Sequence, residues 1–262
     1  MNRIMNTNIE KLLHHRKIHF SQNGEDGFLD FVLSKLPEKT NWCIEFGAWD
    51  GKHLSNTHYF ITEKGYKSVL IEGEADRCEV LSKNMGKYGA ICINQFVDFQ
   101  GKNTLDNILA KTPIPKNFDL LSIDIDGDDY QVWQSIKNYQ PKVVIIEINI
   151  RDKPTVERIN LPGSPYVWGL SGTSIKSMTE LAVSKGYSLI ANISCNAIYV
   201  KDEYLKLFHD KRLTPEEAFL FEGHKYHELT EAEKKHLGLR RVFIKYLKHC
   251  YRKTFPLRKS NN

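Results

Sequence analysis

The sequence has no long apolar run and no closely paired cysteines. It contains no stretch of about 18 consecutive apolar residues, so it predicts no membrane-spanning helix. Its first residues, MNRIMNTNIEKLLHHRK, lack the apolar core and the cleavage site of a secretory signal. The five cysteines are an odd number and include no C-x-x-C pair, which argues against a disulfide framework and a zinc site. These absences predict a protein of a reducing, cytoplasmic compartment.

Acidic residues are missing from the last part of the chain. Ten of the 37 Lys and Arg residues, and no Asp or Glu, lie between Lys234 and Asn262, so the rest of the chain is mildly acidic. Apolar residues from Val242 to Tyr251 fall on one helical face of this tail and are flanked by Lys and Arg. Residues 234–262 therefore predict contact with an acidic partner or with an anionic membrane surface, at the inner face of the membrane. Docking of the apolar face on the body explains the pattern as well.

The tail carries no motif of a nucleic-acid-binding family, so RNA and DNA are unlikely partners. The rest of the chain alternates short apolar runs with helical patterns, which predicts an α/β fold with a parallel sheet covered on both faces. The predicted strands lie at residues 42–45, 68–72, 90–96, 118–126 and 142–149, followed by an antiparallel pair at 187–194 and 196–200. We expect one body over residues 1–203 and a helical, basic extension over residues 204–262.

The stretch WCIEFGAWDG, residues 42–51, joins the first predicted strand to a helix from about Ser55. Gly47 and Gly51 would let the backbone approach a ligand closely, and the following helix offers free amides. Glu45 would repel a pyrophosphate but could accept hydrogen bonds from an ammonium group. This favours a cationic nucleotide such as S-adenosylmethionine (SAM) over NAD or ATP. A strand–turn–helix with glycines for packing alone is the alternative.

Acids also follow the next two predicted strands. Open parallel sheets bind ligands beyond the carboxyl ends of their strands. Glu72 ends the second strand about twenty residues past the glycine turn, where a carboxylate can accept two ribose hydroxyls. Asp98 follows the third strand and is placed to accept from an adenine amino group. Acids at consecutive strand ends, each matching a polar group of one nucleotide, support the SAM prediction.

Oxygen ligands follow the fourth and fifth predicted strands. Asp124 lies in IDIDGDD, and Glu147 and Asn149 lie in IIEIN. Ligands from adjacent strand ends predict a site for Mg²⁺ or another divalent cation, which could lower the pKa of an acceptor hydroxyl. The acids of residues 126–129 could instead make only a turn and a helix cap.

Three further features predict the acceptor side of the site. His53 follows the glycine turn and could be a general base, or a helix-start residue that faces water. Residues 150–172 form a long irregular loop typical of a lid or substrate site. Its Tyr166 and Trp168 could stack on a sugar or an aromatic acceptor, or anchor the loop to the core. We assign Asp126 to the substrate site with them.

The segment FSQNGEDG, residues 20–27, precedes an apolar helix from Phe28 to Leu36. Ser21 or Asn23 could cap this helix. The polar cluster is denser than capping requires, and we assign Gln22 to the cofactor site.

From about Phe20 to Val200, the chain resembles the FkbM-type SAM-dependent methyltransferases. The segments that carry this resemblance are FSQNGEDG, IEFGAWDG, VLIEG, LLSIDIDGDDYQVW and VVIIEIN. The resemblance implies a Rossmann-like, mostly parallel seven-stranded sheet with helices on both faces and the last strand antiparallel. It also implies O-methyl transfer, commonly to hydroxyls of sugars in surface polysaccharides or natural products. A saccharide or glycan acceptor is therefore expected.

The resemblance also implies roles for residues at matching motif positions. Glu45, Gly47 and Gly51 would hold the methionine part of SAM. Glu72 would hold the ribose, and Asp98 the adenine edge.

Asp124 corresponds to the acid of the family's D-x-x-G segment. The turn AWDGKHLSN departs from the commoner family pattern. Glu147 and Asn149 are similar to residues of metal-dependent sugar and catechol O-methyltransferases. Two ways of activating the acceptor hydroxyl therefore stay open: coordination to a metal, or proton transfer to His53.

The sequence thus predicts a SAM-dependent O-methyltransferase, with metal assistance left open. The alternative is a non-catalytic SAM-fold scaffold, recruited by its basic tail to a membrane or a glycan-assembly complex. Acids at every strand end argue against the scaffold, because an idle site need not keep groups that match a ligand. A Rossmann protein for another nucleotide is a third possibility, which Glu45 opposes for any pyrophosphate ligand.

Overall fold

A computed structural model describes residues 7–125, 127–164, 167 and 171–219. The strands are β1 Trp42–Phe46, β2 Lys67–Glu72, β3 Ile91–Asn94, β4 Leu120–Ile123, β5 Val143–Glu147, β6 Tyr187–Ile193 and β7 Asn196–Lys201. The α-helices are α1 Thr7–Leu13, α2 Glu25–Lys35, α3 His58–Glu63, α4 Ala75–Met85, α5 Leu105–Leu109, α6 Asp129–Ser135, α7 Ile175–Ser184 and α8 Pro215–Phe219. Short 3-10 helices cover Gly86–Tyr88, Gly101–Asn103 and Asp202–Leu207.

The strands form one seven-stranded sheet in the order β3-β2-β1-β4-β5-β7-β6. Strands β1 to β5 run parallel, and β7 is antiparallel to both β5 and β6. The mostly parallel α/β sheet and its antiparallel last strand are thereby confirmed. The strand order reverses between β1 and β4, so ligands are expected at the carboxyl ends of these two strands.

Helices cover both faces of the sheet, as predicted. On one face, alternate strand residues such as Phe46 and Ile146 pack with Trp133 of α6 and Met178 of α7. On the other face, residues such as Leu70 and Ile145 pack in a second cluster with Phe28 of α2, Phe60 of α3 and Leu81 of α4, which we call the α2–α4 cluster. Because both faces are buried, the parallel strands are apolar along most of their length, which made them visible in the sequence.

A buried ion pair lies at the amino edge of the sheet. Lys142 Nζ donates to Asp119 Oδ1 at 2.9 Å, and their side chains are 4% and 0% exposed. Asp119 also accepts hydrogen bonds from the backbone N–H groups of Thr40 and Asn41. Lys142 Nζ also donates to the Glu38 carbonyl. These contacts join the segment before β1 to the starts of β4 and β5.

Two predicted helix starts were wrong. The helix predicted from Ser55 begins at His58, because residues 55–57 turn their donors toward β1 instead. Helix α2 begins at Glu25, and its N-cap is Gly24 with φ +88°, rather than Ser21 or Asn23. Glycine reaches this left-handed conformation without a steric cost.

Residues 204–219, the described part of the predicted extension, pack on the sheet. Phe208, Leu213 and Phe219 are at most 8% exposed and join the clusters on the two faces of the sheet. None of the helices in the described part of the chain is long and apolar enough to cross a membrane. The basic amphipathic helix predicted in residues 234–262 lies outside the described residues.

Candidate active site

The strand register aligns five residues along the carboxyl edge of the sheet. The last residues of β1 and β4 are partners, as are Glu147 of β5 and Asn196 of β7. Continuing each parallel ladder by one residue places Glu72, Gly47 and Asp124 side by side, followed by Glu147 and Asn196. The fold therefore brings together residues from four separate predicted motifs.

The two strand-end acids Glu72 and Glu147 share one face of the sheet. Each lies two residues beyond a member of the α2–α4 cluster, Leu70 or Ile145, and side chains alternate along a strand. Glu45 lies on the same face, two residues beyond Cys43. The polar side chains of the site therefore lie on the face that α2, α3 and α4 cover.

The two glycines of the turn after β1 serve different purposes. Gly47 is exposed with φ +76°, and a Cβ there would lie 1.9 Å from the Asp124 carbonyl oxygen. Gly51 is buried with φ +72°, and a Cβ there would lie 2.4 Å from Met85 Cγ of α4. Gly47 thus allows close backbone approach at the ligand edge, whereas Gly51 allows the turn to pack on α4.

Glu45 is buried among donors of its own chain. Its Oε2 accepts from Ser55 Oγ at 2.5 Å and Thr57 Oγ1 at 2.8 Å, and its Oε1 accepts from Asn56 N at 2.9 Å. Ser122 Oγ donates to Oε1 at 3.4 Å. Burial raises the pKa of Glu45, and these donors oppose the rise. Glu45 therefore holds residues 55–57 against the sheet, and its predicted contact with an ammonium group stays a prediction.

Glu72 joins the turns after β1 and β2. Its Oε2 accepts from Trp49 N, and its Oε1 accepts from Glu74 N, both at 2.9 Å. The residue is 5% exposed. A carboxylate has about four lone-pair sites, so each oxygen can accept one more hydrogen bond. Two ribose hydroxyls match that capacity.

An aromatic side chain beside Glu72 was missed in the sequence. Phe96 is 65% exposed, and its ring lies against Gly73, where a Cβ would come within 2.3 Å of it. The sequence pattern placed Phe96 inside a strand, but β3 ends at Asn94. Asp98 is exposed four residues beyond that end, and its Oδ1 accepts from Phe99 N at 2.8 Å. An exposed Phe just after an apolar run was the signal available.

His53 is exposed in the turn between Gly51 and α3. Its ring packs edge-on against Trp49 with centroids 5.0 Å apart, and the backbone N–H of His53 donates to Asp50 Oδ1 at 2.7 Å. Trp49 has φ +47°, a left-handed conformation that bulky residues rarely adopt. Such backbone strain clusters at ligand-binding sites.

His58 differs from His53 because it is buried. Its Nδ1 donates to the Gly51 carbonyl at 2.6 Å, and burial lowers its pKa. It holds the glycine turn and is not placed for proton transfer.

The structure does not confirm the predicted divalent-cation site. Asn149 is 5% exposed, its Oδ1 accepts from Arg151 N, and its Nδ2 donates to Ser171 O, both at 2.8 Å. Asp124 and Glu147 lie on adjacent strands, but the described residues include no group of three or more His, Cys, Asp or Glu that could hold a metal.

The acids after β4 make a turn, but the N-cap residue of α6, Asp128, makes no side-chain capping hydrogen bond. Asp129 accepts from Ile125 N at 2.9 Å and Gly127 N at 3.0 Å. Asp128 Oδ1 accepts from Gly163 N of the long loop at 3.1 Å. Asp126 lies outside the described residues, as do Tyr166 and Trp168 of the long loop.

The segment 20–27 folds around two buried acids of α2. Asp26 accepts from the backbone N–H groups of residues 19–21 and 27 and from Ser21 Oγ. Glu25 accepts from Asn23 N at 2.6 Å and from Asn196 Nδ2 at 3.0 Å. The contact with Asn196 holds the segment at the carboxyl edge. Gln22 is exposed on it.

The model of the methyltransferase FkbM domain matches residues 100–161. This match confirms the FkbM resemblance. The matched FkbM-type segment runs from the connection after β3 through β5 into the long loop, and it contains Asp124, Glu147 and Asn149. No curated protein sequence matches the chain.

Two solved structures illustrate the similarity in architecture. An O-methyltransferase from Bacillus cereus in complex with SAH is 16% identical, over 75% of this chain and 91% of that chain, with a TM-score of 0.46. The O-methyltransferase TomG from Streptomyces achromogenes, involved in tomaymycin synthesis and solved with SAM, is 13% identical over 77% of this chain and 90% of that chain, with a TM-score of 0.42. Similarity at this level carries no conclusion about cofactor or substrate.

Proposed function

We propose that the chain is a SAM-dependent methyltransferase that transfers a methyl group to a hydroxyl of a saccharide or glycan acceptor. The observation that carries this proposal is the alignment of Glu72, Gly47 and Asp124 at the point where the strand order reverses. Cofactors bind at this point in open α/β sheets. The FkbM match supports the methyl-transfer chemistry, and the sequence resemblance supports the saccharide hydroxyl.

The described side chains suggest how the cofactor is held. Glu72 accepts hydrogen bonds from the two ribose hydroxyls with its remaining lone pairs. Phe96 stacks on the adenine, and the adenine amino group donates a hydrogen bond to Asp98. Asp124 is exposed beside Gly47 and is better placed for the ammonium group than Glu45, whose oxygens already accept four hydrogen bonds.

SAM, when bound, would supply a methyl group on a sulfonium; the acceptor oxygen would bond to that methyl carbon in line as the methyl–sulfur bond breaks and S-adenosylhomocysteine leaves. The sulfonium is already a good leaving group, and the protein therefore contributes mainly by positioning the two reactants. His53 is the exposed candidate for accepting the hydroxyl proton. Gln22 faces the cofactor from the segment 20–27. Asp126, Tyr166 and Trp168 remain predictions for the acceptor site.

Calorimetric titration with S-adenosylhomocysteine tests the cofactor site. We expect micromolar binding by the wild type and a loss of about 10- to 100-fold in Glu72→Gln, because hydrogen bonds to a charged group contribute about 1.5–3 kcal/mol in total. Glu79→Gln, at an exposed position of α4, is the matched control and should bind normally. Phe96→Ala should also weaken binding, since Phe96 makes a stacking contact.

Two other outcomes would change the proposal. A folded wild-type chain that binds no S-adenosylhomocysteine would contradict it and favour the non-catalytic scaffold. Repeating the titration and a methyl-transfer assay with Mg²⁺ and with EDTA tests metal assistance. Activity that EDTA abolishes would restore the predicted divalent cation.

A further inference from the structure

Most of the exposed large apolar side chains lie on loops at the carboxyl edge of the sheet. Eleven large hydrophobic residues are exposed among the described residues, and one of them, Phe96, belongs to the proposed cofactor site. Six others form what we term the apolar rim: Ile18, Leu54, Val156, Ile159, Leu161 and Val167, which are 36–74% exposed. The remaining four, Val80, Tyr88, Val183 and Leu207, lie on helices or on connections away from this edge.

The loops that carry the apolar rim are anchored. Gly27 N donates to Lys17 O, next to Ile18. Leu54 is followed by Ser55, whose hydroxyl donates to Glu45. In the long loop, Ser174 N donates to Arg158 O at 2.9 Å, next to Ile159. The rim side chains are therefore held in water by ordered backbone, and each exposes apolar surface at a cost.

Cations accompany the apolar rim. Lys17, Lys52 and Lys153 are exposed close in sequence to Ile18, Leu54 and Val156, and no described acid forms an ion pair with them.

The acids of the same loop are already neutralised. Asp152 pairs with Arg158 at 2.7 Å, and Glu157 pairs with Lys176. The rim therefore presents apolar side chains near the exposed lysines Lys17 and Lys153, whereas the charge of Lys52 is offset by Asp50 two residues away.

We propose that the apolar rim docks the mouth of the site on an anionic membrane surface. Single apolar side chains on separate loops, interspersed with lysines, can insert between lipid headgroups while the lysines contact anionic lipids. A protein partner would instead favour one contiguous apolar patch with few charges at its centre. Together with the proposed function, this orientation implies an acceptor that is anchored at the membrane.

Sedimentation of the full chain with vesicles tests this surface. The probes are vesicles of phosphatidylcholine alone and of phosphatidylcholine with phosphatidylglycerol. We expect binding to the anionic vesicles, and a fall of about tenfold in the double variant Ile159→Gln/Leu161→Gln, because it removes two inserting side chains. The control Val80→Gln/Val183→Gln changes two exposed apolar positions away from the rim, 39% and 42% exposed, and should partition like the wild type.

A second measurement reports the insertion of one rim residue into the lipid. Membrane binding through the basic tail, residues 234–262, would not by itself produce this signal. Tryptophan introduced by Leu161→Trp should add fluorescence that brominated anionic lipid quenches, whereas that from Val183→Trp should not be quenched. The proposal would be overturned if the rim variant partitioned like the wild type or if the control variant lost as much binding. It would also be overturned if the Leu161→Trp fluorescence were not quenched, and that outcome would favour a protein partner for the rim. Normal S-adenosylhomocysteine binding by the rim variant shows that the cofactor site is intact, so the two proposals fail separately.

Discussion

At the scale of single residues, Glu45 shows how an acid in a nucleotide-binding motif can have a structural task. Ser55 and Thr57 donate to one oxygen, and Asn56 and Ser122 donate to the other. The carboxylate thereby fixes the end of the turn that contains Gly47. Because loss of these contacts would shift the turn that contains Gly47, we expect any effect of Glu45 on ligand binding to act through the position of that turn.

The pH dependence of stability reports the state of Glu45. Burial raises its folded pKa above the ordinary value of 4.5, so between these two values the folded protein holds a proton that the unfolded chain has lost. The unfolding free energy of the wild type minus that of Glu45→Gln should therefore fall as pH rises above about 4.5, and level off above the folded pKa. Urea unfolding at a series of pH values measures this difference.

Glu79→Gln is the control for this series. It makes the same change of a Glu to Gln at an exposed position of α4, and its unfolding is measured at the same pH values. A Glu45→Gln difference that grew with pH would show that the donors lower the folded pKa of Glu45 more than burial raises it.

The sequence predicted the placement of some site residues better than their contacts. Glu72, Asp124 and Glu147 were found because each ends a buried apolar run, and parallel strands end at a common edge. The partners of Glu45 could not be foreseen, since they depend on how a turn closes in three dimensions. Phe96 was assigned to a strand because hydrophobicity does not distinguish a buried ring from an exposed one.

At the scale of elements, the segment 20–27 is built as one unit with the first turn of α2. Asp26 is fully buried and accepts hydrogen bonds from five groups, four of them backbone amides. Gly27 permits this fold because a Cβ there would lie 2.5 Å from the backbone N of Lys17. The polar density of this segment was visible in the sequence, whereas its closure around Asp26 was not.

Asp26→Asn tests whether this unit also serves the cofactor site. An amide in place of the carboxylate leaves at least one buried N–H without an acceptor, so we expect a loss of about 1–3 kcal/mol in urea unfolding. If the segment presents Gln22 to the cofactor, S-adenosylhomocysteine binding should weaken as well. Asp30→Asn, on the same helix but in a surface pair with Lys64, should change stability by less than about 1 kcal/mol and leave binding unchanged. Weakened stability with wild-type affinity would separate Gln22 from the site.

At the scale of the whole molecule, the sheet is enclosed by more of the chain than the predicted body of residues 1–203. Leu213 and Phe219 join the cluster around Trp133, and Phe208 joins the cluster on the other face. This packing was hard to predict because the segment is short, charged and not strongly periodic. Residues 204–219 should therefore unfold together with the sheet.

Two leucines of this segment provide a matched test of that packing. Leu213 is 4% exposed in the core, whereas Leu207 is 46% exposed. Leu213→Ala should lower the free energy of unfolding by about 2–5 kcal/mol, and Leu207→Ala by much less, because only the first leaves a cavity. Urea unfolding followed by tryptophan fluorescence and by far-UV circular dichroism should give coincident transitions for each variant. Unchanged stability in Leu213→Ala would instead mean that the segment is a separate extension, with the boundary near residue 203.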